Sequence, residues 1–226
     1  MGNDPGETCW TLVRAAAAGD GEARAAFSRT YAVAIRGFFE MRWRMRALES
    51  DVDDATQEVF LECLRSDGVL SRADPARGDL RGLLFGVAKN VARRFEERAR
   101  EGGRIRDKES DWFRELDSDE AGQATLFDRS WARALVRRAE RDHRELAAAE
   151  GDTGRRRIEL LERRFQGGEA IREIAADWGV PAQDVHNLFR TARAEFRTCL
   201  RRVVAAHVSA AEDVDGECER LLALLA

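Results

Sequence analysis

Apolar residues recur at three- and four-residue steps through most of this chain, the spacing of helices that bury one face. From Thr11 to Trp43 two such patterns follow one another. The first ends near Gly19, and Asp20 is placed to cap the second, in which Ala23, Phe27, Tyr31, Ala34 and Phe38 form the apolar stripe. A third helix carries Val52, Ala55, Val59 and Cys63 in line, with Phe60 and Leu64 beside them and Ser50 as the expected cap. Ser66 to Asp79 reads as a loop punctuated by Gly68, Pro75 and Gly78. A fourth helix begins near Leu80 and turns Leu83, Leu84, Val87 and Val91 inward. Residues 101–125 are charged and interrupted by glycine, which predicts a flexible linker with a short amphipathic piece around Trp112 and Phe113. Helical spacing then resumes through Phe127, Trp131, Leu135 and Val136, a helix expected to pack on the unit that follows.

That unit is organised around Glu169 to Arg197, which reads as two helices joined by a tight turn. Ile174, Ala175 and Trp178 share one face of the first helix, and Gly179 supplies a turn that needs positive φ. Pro181 suits the first turn of the second helix, where no N–H is required, and Val185, Leu188 and Phe189 give that helix its inward face. This order of small, turn-forming and spaced apolar residues predicts a helix-turn-helix. Beyond Val204, Val214, Cys218, Leu221, Leu222 and Leu225 fit one face of a short last helix, expected either to pack on the helix-turn-helix domain or to offer a grip to a regulator. The fold class is therefore all-α, with two helical domains joined by a flexible linker: residues 8–100, a linker at 101–125, 126–206, and an extension at 207–226.

Composition narrows the chemistry. With 226 residues, 35% charged, 44% hydrophobic and 3 prolines, the chain suits a soluble helical protein with one or two cores. No apolar run approaches the roughly 20 residues of a membrane span. The N-terminus has no basic stretch leading into a hydrophobic one, so no signal peptide and a cytoplasmic location are expected. Cys9, Cys63, Cys199 and Cys218 are scattered, which fits reduced thiols and no metal site. His143, His186 and His207 are dispersed and no nucleophile stands beside a base, so neither an enzyme nor a cofactor is expected. The net charge of −4 is unusual for a chain that binds DNA unaided, and fits one that touches DNA locally and relies on a partner for the rest.

Three polar faces remain. Asp54, Glu58 and Glu62 recur at i, i+4, i+8; a solvated face, a docking surface for a basic partner and a metal site are the readings open to them. Lys89, Asn90, Arg93, Arg94, Arg98 and Arg100 make the fourth helix's outer face basic, either a surface for a strand's phosphates or an exposed face offset by Glu96 and Glu97. On the second helix of the helix-turn-helix, Gln183, His186, Asn187, Arg190, Arg193 and Arg197 form a stripe able to read bases at its start and hold phosphates beyond. The alternative is a helical hairpin in a bundle with solvated arginines.

Taken together, "AAGDGEARAAFSRTY", "DVDDATQEVF", "LRGLLFGVAKNVARRF" and "REIAADWGVPAQDV" resemble, in order, four blocks of the bacterial sigma-70 family, most of all its extracytoplasmic-function branch. The likeness covers Leu12 to Arg100 and Arg155 to Val204, the family's regions 2 and 4. It implies an initiation factor that binds core RNA polymerase and directs it to promoter DNA. Asp54, Gln57, Glu58 and Phe60 would dock on the β′ clamp helices. Lys89, Asn90, Arg93 and Arg94 would melt and capture the single-stranded −10 element, with the Ser66 to Asp79 loop as the pocket for an extruded base. Gln183, Asp184, His186, Asn187, Arg190, Arg193 and Arg197 would read the double-stranded −35 element, and the β flap and an anti-sigma regulator are further implied partners. The chain departs from the family's pattern at Leu83 and Leu84, at Asp184 to His186 and at Thr191; Asp184 could accept from a cytosine amino group or cap its helix, and nearby phosphates would repel it. A sigma-derived adaptor that does not initiate alone is the alternative.

Overall fold

The computed structural model describes residues 9–74, 79–208 and 213–225, the side chain of Asp107 apart. Among these residues the fold is all-helical, without a strand. The helices are α1 (Cys9–Ala17), α2 (Gly21–Arg42), α3 (Val52–Leu64), α4 (Leu80–Glu101), α5 (Asp107–Ser118), α6 (Glu120–Ala149), α7 (Gly151–Phe165), α8 (Ile171–Trp178), α9 (Ala182–Ala205) and α10 (Val214–Ala223), with 3₁₀ turns at Glu49–Asp51 and Val69–Arg72. None is long and apolar enough to cross a membrane.

Side-chain caps set several starts. Asp20 Oδ1 accepts from Ala23 N at 2.7 Å, as expected, and Asp79 Oδ1 does the same for Gly82 N at 2.7 Å. Ser50 is not the cap of α3: it lies inside the 3₁₀ turn, and Asp51 takes the cap position without a side-chain hydrogen bond.

The chain divides into two compact units: residues 1–134 with 205–226, and residues 135–204. In the first, α1 packs on α2, α2 on α3, and α3 on α4. Phe27, Tyr31, Ala34 and Phe38 of α2 are buried, as are Ala55, Val59 and Cys63 of α3 and Leu84, Val87 and Val91 of α4. Burial raises the Cys9 thiol's pKa to about 11 and that of Cys63 to about 12, so both stay protonated and act as small apolar residues.

Three sequence expectations are corrected here. Residues 101–125 are no flexible linker: α5 and the start of α6 occupy most of them, and Ile105, Phe113 and Gln123 are buried. Their charged character hides this, because part of the charge is turned inward. Arg42, wholly buried, donates from Nε to Glu96 Oε1 at 2.7 Å, from Nη2 to Glu96 Oε2 at 2.9 Å and to Asp117 Oδ1 at 2.8 Å, and from Nη1 to Gln123 Oε1 at 2.9 Å. Trp43 Nε1 adds a bond to Glu96 Oε1 at 2.8 Å. Second, Phe127 and Trp131 belong to the first unit, not to the helix-turn-helix. Phe127 meets Phe38 and Phe85, and Trp131 stacks on Tyr31 at 5.5 Å. The division between units falls inside α6, just before Leu135. Third, the C-terminal extension groups with the first unit rather than with the helix-turn-helix. Cys9 N donates to Ala206 O at 2.9 Å, the Tyr31 hydroxyl meets His207 Nε2 at 3.2 Å, and Arg220 reaches Asp128 at 3.7 Å.

Breaking a buried ion pair by removing one partner leaves the other charge without compensation. Arg42→Ala is expected to lower the stability of the first unit by about 3–5 kcal/mol in urea unfolding. A paired Arg42→Met, Glu96→Leu variant, which removes both charges, recovers most of that loss.

Candidate nucleic-acid interface

The second unit is built on a small core. Leu160 of α7, Ile174 and Ala175 of α8 and Val185 of α9 are buried together, and Ile171, Trp178, Val180, Leu188 and Phe189 pack around them. Ala175, only 3% exposed, lets α8 and α9 approach closely where a larger residue would not. Gly179 closes α8 in the left-handed region (φ +63°, ψ +35°), its N–H donating to Ala176 O and that of Val180 to Ala175 O. Glu173 holds the start of α8, its Oε2 accepting from Ala170 N at 2.7 Å. Pro181 precedes α9, and its carbonyl accepts from Asp184 N at 3.0 Å. Arg163 at the end of α7 ties the unit together by donating from Nε to Glu169 at 3.0 Å and from Nη1 to Asp177 at 2.6 Å, bonds that raise its pKa.

This geometry turns one face of α9 outward. Gln183, Asp184, His186, Asn187, Arg190, Arg193 and Arg197 are all exposed. Gln183 Nε2 lies 3.4 Å from Asn187 Oδ1, one turn along. The guanidinium of Arg193 stands 5.7 Å from the centre of the Phe189 ring, and that of Arg164 5.8 Å from it. The face presents amide and imidazole groups first and guanidiniums afterwards, so hydrogen bonding to base edges and charge pairing with phosphates fall on successive turns.

In the first unit the other two sets come together. Asp54 and Gln57 are exposed on α3, and Glu58 is half-buried. Phe60 is half-buried with its ring edge-on to Phe27 at 6.2 Å, so part of it serves the core. Lys89, Asn90, Arg93 and Arg94 lie along α4 at helical spacing. Each of the three cations meets a carboxylate. Lys89 Nζ is 2.8 Å from Glu120, Arg93 Nε is 3.8 Å from Asp117, and Arg94 reaches Glu62 at 2.9 Å and Glu58 at 3.5 Å. The hydrogen bond and charge of Lys89 lower the Glu120 carboxyl's pKa.

Glu62, Val69, Val87, Asn90, Arg93, Arg94 and Glu97 line a cavity of about 370 Å³. Val69 comes from the 3₁₀ turn of the Ser66–Asp79 segment, so that segment does contribute to a pocket beside the basic face; residues 75–78 lie outside the described ones. Gly68 makes the approach feasible. A Cβ there would meet the carbonyl oxygens of Cys63 at 2.6 Å and Glu62 at 2.7 Å.

Among the described residues, four exposed apolar side chains, Met45, Leu61, Leu146 and Phe165, carry no expectation from sequence. Leu61 (65% exposed) continues the outer face of α3 one turn after Gln57, a position legible from spacing alone. Phe165 (71% exposed) lies 6.0 Å from Phe189 at the end of α7. Met45 (86% exposed) sits in the turn after α2 with φ +56°, which nothing in its sequence signals. Among the described residues no cluster of metal-ligating side chains is present. Compared with family models, curated proteins and solved structures, the chain matches none.

Gly179→Ala adds a Cβ in the left-handed region and is expected to destabilise the second unit by about 1 kcal/mol, read by hydrogen exchange of α8 and α9 amides.

Proposed function

We propose that this chain is a sigma-type transcription initiation factor: it binds core RNA polymerase in the cytoplasm, directs it to promoters and catalyses nothing itself. The observation that carries the reading is the exposed amide-to-guanidinium face of α9, set on a left-handed glycine turn and a three-helix core. Such a helix suits a major groove, with Gln183, Asp184, His186 and Asn187 towards bases and Arg190, Arg193 and Arg197 towards phosphates. The first unit adds the complementary half. Its α4 face and the adjoining cavity suit a single strand whose base is turned out, because unstacking costs a few kcal/mol that interactions with the protein must offset. Asp54, Gln57 and Glu58 on α3 suit a basic partner surface, here the β′ clamp helices. The β flap is the partner proposed for the second unit, and an anti-sigma protein the proposed regulator.

A second reading, an adaptor that binds polymerase or DNA without initiating alone, is favoured by Asp184. It stands exposed in the first turn of α9, where phosphates of a bound duplex would be repelled.

Run-off transcription with core polymerase and genomic fragments from the same organism separates the two. Specific starts are expected, and they are expected to disappear in the Asp54→Lys, Glu58→Lys variant. Co-elution with core but no transcript would favour the adaptor, and no association would remove both readings.

Duplex binding checks the −35 face directly. Arg190→Ala and Arg193→Ala are each expected to weaken binding across sequences and to flatten the dependence of log K on log salt by roughly 0.9 for each phosphate left without its guanidinium. An unchanged slope would mean these guanidiniums do not meet phosphates.

A further inference from the structure

On the reading of the α4 face as a nucleic-acid surface, we propose that Glu120 and Asp117, at the corner between α5 and α6, are internal stand-ins for phosphates on that face, and that the Glu120 side chain gives way when a polyanion binds. The corner brings two carboxylates to the two cations nearest it, Glu120 to Lys89 at 2.8 Å and Asp117 to Arg93 at 3.8 Å. These are the groups a strand's phosphates would occupy. A carboxylate and a phosphate diester carry the same single charge and offer the same kind of acceptor oxygen to an ammonium or guanidinium.

The corner is held from behind. Asp117 spends its other oxygen on buried Arg42 at 2.8 Å, so it stays in place whether or not Arg93 is engaged. Gln123 Nε2 donates to Leu116 O at 2.9 Å across the corner, and Asp119 Oδ1 accepts from Gly122 N at 2.8 Å to start α6. Its outer edge is loose by comparison. The Glu120 side chain is 78% exposed, and Arg93 lies beyond hydrogen-bond length from Asp117 with half its side chain in solvent. Exposed pairs of this kind contribute little and are screened by salt. A strand with several phosphates therefore displaces Glu120 readily, whereas an isolated anion does not. The free protein is left with Lys89, Arg93 and Arg94 already paired, and the affinity of this face for nucleic acid is correspondingly low.

The test measures binding of the full chain to a labelled single-stranded oligonucleotide of mixed sequence, by fluorescence anisotropy over a series of salt concentrations. Glu120→Gln is expected to tighten binding by roughly two- to fivefold at low salt, the range of one exposed ion pair. It is also expected to steepen the salt dependence by up to about 0.7 in slope, the increment for one further phosphate neutralised on a single strand. Glu22→Gln, which removes an exposed carboxylate from α2, is the charge control and is expected to leave both quantities unchanged. Equal or weaker binding by Glu120→Gln, or the same gain in Glu22→Gln, would overturn the proposal while leaving the α4 face a nucleic-acid surface. The Lys89→Gln, Arg93→Gln variant tests that face itself. If it binds as well as the unaltered chain, or if no variant binds at any salt, the functional reading of α4 fails and the stand-in with it.

Discussion

The first unit depends on the pairing of Arg42 in a wholly buried place. Taking a guanidinium and a carboxylate out of water costs several kcal/mol per ion, and attraction between them repays this only when the remaining donors and acceptors are used as well. Here four of the five N–H donors are used: Glu96 takes two bonds, Asp117 and Gln123 one each, and Trp43 donates to Glu96 from the side. Burial by itself would lower the Arg42 pKa, but the hydrogen bonds and charges of Glu96 and Asp117 outweigh it and push the value up. Because Arg42 sits on α2 and its three partners on α4, α5 and α6, one buried charge fixes the register of all four helices. A hydrophobic replacement could hold them together equally well, but would not specify where the corner between α5 and α6 lies.

That position matters for the polar faces. Asp117 is shared between the buried network and the outer face of α4, so the core and the proposed nucleic-acid surface meet in one side chain. Arg94 is shared in a similar way between α4 and the acidic stripe of α3. Two surfaces with separate proposed partners thus exchange charge within the free protein. On the α4 face Lys89, Arg93 and Arg94 are thus neutralised locally rather than summed into a basic field, whereas Arg190 and Arg193 of α9 stand exposed.

The second unit is simpler, and its logic is mostly local. A small residue at Ala175, a left-handed glycine at Gly179 and a proline before α9 fix the angle between two helices, and the polar stripe of α9 then faces outward by periodicity alone. His143 and Arg157 extend the unit around Glu195, at 3.2 Å and 2.8 Å, joining α6, α7 and α9 by a second, largely buried polar cluster.

The sequence by itself determined what is periodic or stereochemical: the all-helical class, the Asp20 cap, the inward stripes of α2, α3 and α4, the turn at Gly179 and the outward face of α9. Those features depend on residues three or four positions apart, or on the φ of one glycine, and such distances are written in the chain. Tertiary structure alone decided where charge is buried. Residues 101–125 look like a solvated linker because composition does not say which carboxylates face solvent, and Asp117 is read differently once Arg42, 75 residues away, is seen to hold it. Phe127 and Trp131 have the spacing of any core helix, and only the rings of Phe38, Phe85 and Tyr31 settle which core they join. The same holds for the C-terminal segment, whose apolar residues suit several surfaces: Ala206 and His207 meet Cys9 and Tyr31 from the far end of the chain, and Arg220 of the last helix meets Asp128. Pairing over such separations is a matter of shape and desolvation among many residues at once, and no short window of sequence carries it.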